Sequence, residues 1–412
     1  MTDTMPALPQ TGALCAHGRR LRVMHVVNCL QPGGAEFGIL KLINGLGEDQ
    51  FEHRLCVTRS YEADFVAAHG LGEKLSTAAG SRRGLQFPLF RLMRIFRQHR
   101  PDIVHTRNWG GLEAVPAARL AGVPVVIHSE HGYEVGNLSG LPVRQRVFRR
   151  FAYSLADRVF TVTRELREYH ARQAWLSPEH IGVIYNGVDT SRYAPSACAR
   201  ERVRDELGIP AGRLILGSVG RLVPIKDYGT LLKAAEVLLQ RNADVHVVIA
   251  GKGPESDSLQ RQANASALLR PRVTFAGASD RVPDLLAAMD IFVLPSLGEG
   301  MSNTLLEALA AGLPVLATRV GGNSEVVGDE FSDWMFAPRD VQGLVQRIER
   351  MAADEGTRRR LGACGRLRAV EEFGLGGMLR RYSELYSAEA AKRGILPGGE
   401  ESAVAVPARR MA

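Results

Sequence analysis

The chain has 412 residues, 45% hydrophobic and 23% charged, with a net charge of +8 and a pI of about 9.4. This is globular composition, long enough for two domains with separate cores. No apolar run approaches the ~18 residues that span a bilayer, and Cys15, Cys29, Cys56, Cys198 and Cys364 show neither CxxC nor zinc-ligand spacing, which argues against a membrane-spanning protein, a disulfide scaffold and a metal site. The basic balance points to an anionic partner: a phosphate-bearing substrate, a membrane surface or nucleic acid.

Residues 1–20 lack the apolar core of a secretory signal and read as a disordered leader of a cytoplasmic protein. From Leu21 short β-rich runs alternate with longer helical ones. LRVMHVVNCL is a first strand, GGAEFGILKLINGL a glycine-opened helix, and EHRLCVT, DIVHTR, PVVIHSEHG, ADRVFTVT and IGVIYNGVD continue the series over residues 21–190. The charged stretch 191–212 reads as a connection. A second series spans 213–375, with RLILGSVGRL, VHVVIAGKG, RVTFAGA, DIFVLPS and LPVLAT as strands. A helix over 376–393 is expected to return to the first domain, ahead of a disordered tail, 394–412. Such alternation predicts an α/β protein of two doubly wound, Rossmann-like domains facing a cleft. Ligands bind outside the carboxyl ends of strands in sheets of this kind.

The chemistry concentrates at those ends. In GSVGRLVPIKDYG, Arg221 and Lys226 follow a strand and precede a helix, so a loop can turn both cations into one pocket, where they would stabilise a pyrophosphate. In PSLGEGMSNTLLEALAAGLP, Ser302 or Asn303 caps a helix and Gly312 with Pro314 ends it. The free N–H groups and dipole at that helix start favour a phosphate, and Gly298 and Gly300 let backbone approach a ligand closely. Glu299 lies in the glycine-rich mouth and Glu307 about a turn inside the helix. A carboxylate accepts twice and suits a sugar diol, so the pair could flank a diphosphate, one on a sugar and one on a ribose.

GRLVPIKD, AGKGPE, FAGASDRVPDLLAAMDIFVLPSLGEG and the two glutamates with seven residues between them resemble the retaining glycosyltransferases of the GT-B fold, family 4 type, over roughly residues 21–390. The resemblance extends to sugar transferases of exopolysaccharide gene clusters. It implies that Arg221 and Lys226 bind the donor diphosphate, Glu299 contacts the transferred sugar, and Glu307 holds the ribose. It further implies that the base passes Gly277 and Ala278, that Gly300, Met301 and Ser302 line the donor site, and that Gly33 and Gly34 of QPGGAEFGIL face its phosphates. His131 of HSEHGYEV would lie near the reacting sugar. His128 and Glu130 beside it have no assigned role. The expected reaction moves a sugar with retention from a UDP-, GDP- or ADP-sugar to a glycan or polyprenyl-linked acceptor of a surface polysaccharide. Protein cations would do the work of a metal, and no cofactor is expected.

Two basic amphipathic stretches, Arg91, Arg94 and Arg97 in one and Arg144, Arg146, Arg149 and Arg150 in the other, could lie on anionic lipid. Competing readings are a nucleotide-sugar epimerase of the same fold and a non-catalytic glycan- or nucleotide-binding protein. A phosphorylase of this architecture would need a longer chain. A nucleic-acid binder would interleave aromatics with its basic patch, and aromatics make up only 6% of the chain.

Overall fold

The structure, a computed structural model, describes residues 19–78, 89–133 and 141–395. The leader as far as residue 18 and the tail from 396 lie outside the described residues. The first domain is built on seven strands: β1 (Leu21–Leu30), β2 (Phe51–Tyr61), β3 (Leu75–Thr77), β4 (Ile103–Arg107), β5 (Val125–Glu130), β6 (Arg158–Thr161) and β7 (Gly182–Val183). They pair in the order β3-β2-β1-β4-β5-β6-β7, and every pairing is parallel. The second domain carries β8 (Leu214–Val219), β9 (Val245–Ala250), β10 (Val273–Gly277), β11 (Ile291–Leu294) and β12 (Val315–Ala317). Their order is β10-β9-β8-β11-β12, again all parallel. Helices cover both faces, so the central strands are buried along their length: every residue of β4, β5, β9 and β11 is inaccessible.

Each sheet reverses its strand order once, between β1 and β4 in the first and between β8 and β11 in the second. These switch points are where a doubly wound sheet opens a crevice beyond its strand ends. The loop Gln31–Gly33 leaves β1, Asn108 leaves β4, Arg221 follows β8, and Ser296–Gly300 follows β11.

The stretch 191–212 contains a helix, Ala197–Glu206, capped by Ser196. It is fastened to the second domain: Arg204 reaches Asp290 at 2.5 Å and Arg202 reaches Asp284 at 2.7 Å. The chain crosses between domains twice, and the crossings lie side by side. Val188 N–H donates to Phe373 O at 2.8 Å, and Leu375 N–H donates to Val188 O at 2.9 Å. Beyond the second crossing, helix Leu375–Ala391 packs Met378, Tyr382 and Tyr386 against Val23, Ile103 and Ile127 of the first sheet.

Candidate active site

Lys226 and Glu299 meet. Lys226 closes a short 3-10 turn after β8, and Glu299 stands in the loop after β11. Lys226 Nζ lies 2.5 Å from Glu299 Oε1, which also accepts from Ser296 Oγ at 2.6 Å. The carboxylate is nearly inaccessible. Arg221 is exposed at the end of β8 and faces Glu36 of the first domain. Burial raises the Glu36 carboxyl, while its own backbone N–H, Arg221 and Arg107 favour the ionised form.

Two helix starts converge opposite these cations. Helix Gly34–Gly45 begins behind Gly33, and helix Asn303–Ala310 begins behind Ser302, whose Oγ accepts from Leu305 N–H at 3.3 Å. Asn303 Nδ2 donates to Gly34 O at 3.2 Å, joining the two starts across the cleft. Both positive dipole ends therefore serve one place, a ready anion site. Glu36, third in its helix, folds its carboxylate back over Gly33, where a Cβ would stand 2.3 Å from Oε2. Sequence reasoning missed Glu36; its capping-box position was the available signal.

His131 follows β5. Its N–H donates to Asn108 Oδ1 at 2.7 Å, and its Nε2 lies 2.9 Å from Ser129 Oγ. Burial, then Arg107, lower its imidazole to about 3, so it is neutral at physiological pH. It touches the second domain through Gly300: a Cβ there would stand 2.2 Å from His131 O and 3.0 Å from Gly132 Cα. That approach explains glycine at 300 and brings His131 beside the Glu299 loop. Met301 is different. Its side chain is buried and its sulfur accepts from Asn186 N–H at 3.1 Å, so it serves the interface rather than presenting a side chain to the cleft.

Glu307 faces the first domain and the crossing. Its desolvating surroundings raise the carboxyl to about 7, against Lys41, a hydrogen bond from Tyr193 and Arg192, all of which lower it. Lys41 Nζ is held by Gly187 O at 2.7 Å. Neither Lys41 nor Tyr193 was singled out by sequence, because each meets Glu307 only through the tertiary fold. Gly277 ends β10 with φ +68°, a left-handed value that favours glycine. It borders a cavity of about 360 Å³ lined also by Leu222, Gly251, Lys252, Gly253 and Phe275, beside the strand ends where a base was expected.

The basic stretches need correction. Arg149 is fully buried. Its guanidinium lies 2.6 Å from His170 Nδ1 and 3.4 Å from Glu130 Oε1, and it stacks 5.4 Å from the Trp109 ring. Glu130 also accepts from Tyr153 at 3.0 Å. Burial alone would raise that carboxyl, yet His170, Arg149 and His128 hold it well below the usual range. Arg149 is thus the counter-ion of a buried acid, and His128 and Glu130 find their role in the same core cluster. His170 Nε2 completes it by donating to Gly132 O at 3.0 Å, next to His131. Arg146 and Arg150 donate to the terminal carbonyls of helix Arg164–Ala174, Arg172 O at 2.8 Å and Trp175 O at 2.5 Å. Arg97 reaches Leu120 O at 3.3 Å. Arg91, Arg94 and Arg144 are exposed.

Known proteins carry the same organisation. Residues 199–368 match the family described as Glycosyl transferases group 1, and residues 32–192 match Glycosyltransferase Family 4. The chain is 30% identical over 272 residues (65% of this chain, 70% of the relative) to the UDP-Gal:alpha-D-GlcNAc-diphosphoundecaprenol alpha-1,3-galactosyltransferase of Escherichia coli. It is 32% identical over 316 residues (74% and 81%) to the GDP-mannose-dependent alpha-(1-6)-phosphatidylinositol monomannoside mannosyltransferase of Mycolicibacterium smegmatis. The fold matches Anabaena HepE, solved in complex with UDP, with a TM-score of 0.75 at 22% identity over 89% of this chain and 100% of that one. Two parallel sheets facing a cleft, the paired helix starts and these matches together make the chain a member of the group 1, family 4-type glycosyltransferases of the GT-B fold.

Proposed function

We propose that this glycosyltransferase moves a hexose, with retention, from a nucleoside-diphosphate sugar to a lipid-linked acceptor at an anionic membrane surface, in surface-polysaccharide assembly. The observation that carries the donor half is the meeting of Arg221, Lys226 and two helix N-termini at the switch points of both sheets. A diphosphate there draws Lys226 from Glu299 and frees that carboxylate for the sugar hydroxyls. As the glycosidic bond breaks, charge grows on the leaving phosphate, and the fixed cations and N–H groups stabilise it most at that moment. The leaving phosphate takes the acceptor proton, so attack occurs on the face from which it departs. Glu307 takes the ribose hydroxyls, and the cavity beside Gly277 takes the base. Protein cations supply the charge stabilisation that a metal would otherwise give.

The acceptor half draws support from the two relatives, whose names specify a diphosphoundecaprenol and a phosphatidylinositol acceptor. It draws support also from helix Val143–Leu155. Val143, Val147 and Phe151 are spaced by four, so they form one stripe, and they are 66%, 53% and 52% exposed. Exposed Arg144 and Arg150 flank the stripe. An apolar ridge edged by arginines suits the interface of anionic lipid.

The donor test is a thermal-shift screen against UDP, GDP, ADP and their hexose conjugates, with EDTA present. A shift selective for one nucleotide is expected, together with a loss of about 10²-fold in turnover for Lys226→Ala and Arg221→Ala, and loss of transfer in Glu299→Ala. Wild-type turnover in these variants would remove the site assignment. For the acceptor side, the protein is expected to sediment with phosphatidylglycerol vesicles but not phosphatidylcholine vesicles. A Val143→Ser, Val147→Ser, Phe151→Ser variant should remain in the supernatant; unaltered sedimentation would rule this ridge out.

A further inference from the structure

One row of buried polar side chains runs under the cleft along a single face of the first sheet. It occupies alternate positions of neighbouring strands, His53 on β2, His25 on β1, His105 and Arg107 on β4 and Ser129 on β5, all buried, and it ends on half-buried His131 just beyond β5. Arg107 is 2% exposed and makes no ion pair with a carboxylate among the described residues. A buried, unpaired guanidinium is costly unless its N–H groups find acceptors. Arg107 Nη1 lies 3.1 Å from His25 Nδ1, and Nη2 lies 3.2 Å from His105 Nδ1.

Arginine only donates, and that fixes the direction of every bond beyond it. Both Nδ1 atoms must accept, so both imidazoles carry their hydrogen on Nε2. The Tyr386 hydroxyl, 2.8 Å from His105 Nδ1, adds a second donor to the same atom. On one branch His25 Nε2 donates to His53 Nδ1 at 3.0 Å. On the other, His105 Nε2 donates to Ser129 Oγ at 2.9 Å. Ser129 is fully buried, and its hydroxyl has one remaining partner, His131 Nε2 at 2.9 Å. A buried hydroxyl hydrogen left without an acceptor keeps its full desolvation penalty, so it goes to His131 Nε2. His131 then carries its own hydrogen on Nδ1, which has no partner among the described residues. Burial and then Arg107 lower His25, His105 and His131, which agrees with neutral rings throughout.

We propose that Arg107 is a positioning residue which, through His105 and Ser129, fixes His131 as the Nδ1–H tautomer and so aims a hydrogen-bond donor at a hydroxyl of the transferred sugar. The proposal rests on the assignment of His131 to the sugar site. It makes His131 a fixed donor, neither base nor acid.

The test uses the full chain labelled with ¹⁵N-histidine. Long-range ¹H–¹⁵N spectra at neutral pH report which ring nitrogen is protonated, and His131→Asn identifies the His131 signals. Nδ1–H is expected in the wild type. In Ser129→Ala, which cuts the row while leaving Arg107 in place, a shift toward the Nε2–H form is expected. Turnover supplies the second reading. An asparagine amide overlays Nδ1 and a glutamine amide overlays Nε2, so His131→Asn should retain at least ~10-fold more kcat than His131→Gln, within the range of a single preorganised donor. An Nε2–H signal in the wild type, with His131→Ala inactive, overturns the tautomer assignment and leaves the sugar-site assignment standing. Wild-type turnover in His131→Ala overturns both.

Discussion

Replacing Glu307 by Gln should stabilise the unliganded protein at alkaline pH and leave it little changed in acid. The carboxyl is raised by its desolvating surroundings to about 7 from an ordinary 4.5, with Lys41, Tyr193 and Arg192 opposing. Because the folded value is the higher one, the group's contribution to stability is complete below pH 4.5 and is lost as pH rises through 7. At 1.36 kcal/mol per pH unit the gap amounts to about 3 kcal/mol, an upper bound. Glutamine cannot ionise and keeps that contribution at every pH. For a domain of this size, about 3 kcal/mol corresponds to a Tm difference of roughly 6–12 °C. Melting curves of both proteins at pH 5, 6, 7 and 8, without nucleotide, read the effect as the growth of the difference with pH. Any fixed cost of placing an amide beside Lys41 cancels in that slope. A difference that stays constant from pH 5 to 8, or a wild type that gains on the variant, would refute the reasoning. The same carboxylate is ionised when it accepts ribose hydroxyls, so binding a nucleotide-diphosphate sugar should release a proton near pH 7. Wild-type affinity should then rise between pH 6 and 8, and the affinity of Glu307→Gln should stay flat.

Gly300→Ala places a Cβ against His131 O and Gly132 Cα, both backbone atoms. The domains must separate there by about 1 Å, and a misplacement of that size lowers kcat by about 10²-fold; unchanged kcat would mean that the close approach is not needed for turnover. Arg149→Leu strips the buried Glu130 of its guanidinium and should cost about 3–5 kcal/mol of stability by urea unfolding. Arg144→Gln, on the exposed side of the same helix, should stay within about 0.5 kcal/mol. Equal midpoints for the two would contradict the buried role of Arg149.

What could be read in the sequence follows from where each signal resides. The buried strands are continuous apolar runs, so β1, β9 and β11 announce themselves, whereas β3, three residues long and paired with β2 alone among the described residues, has no local signature. The places of Arg221, Lys226, Glu299 and Glu307 at strand and helix ends are legible because glycines, a cap and a strand end bracket them within a few residues. Arg149 was not: a helix at three- and four-residue spacing gives an inward arginine the same sequence pattern as an outward one. Only the fold shows that Glu130, from β5, waits beneath it. The same limit hid Lys41 and Tyr193 from Glu307.

The histidines make the point most fully. MHV and VHT each place a single histidine inside an apolar strand, and EHR places one between two charged neighbours; none of the three marks a site by itself. Their common face follows from the two-residue period of a strand, but their adjacency follows from the strand order β2-β1-β4-β5, in which β4 inserts beside β1 from some 40 residues beyond β2. Sequence places His25, His53 and His105 on strands. Topology sets them shoulder to shoulder, and the donor-only guanidinium of Arg107 gives the row its direction. The buried polar machinery behind His131 is therefore a property of strand order, and a change that altered pairing at β4 would disconnect it even with every histidine kept.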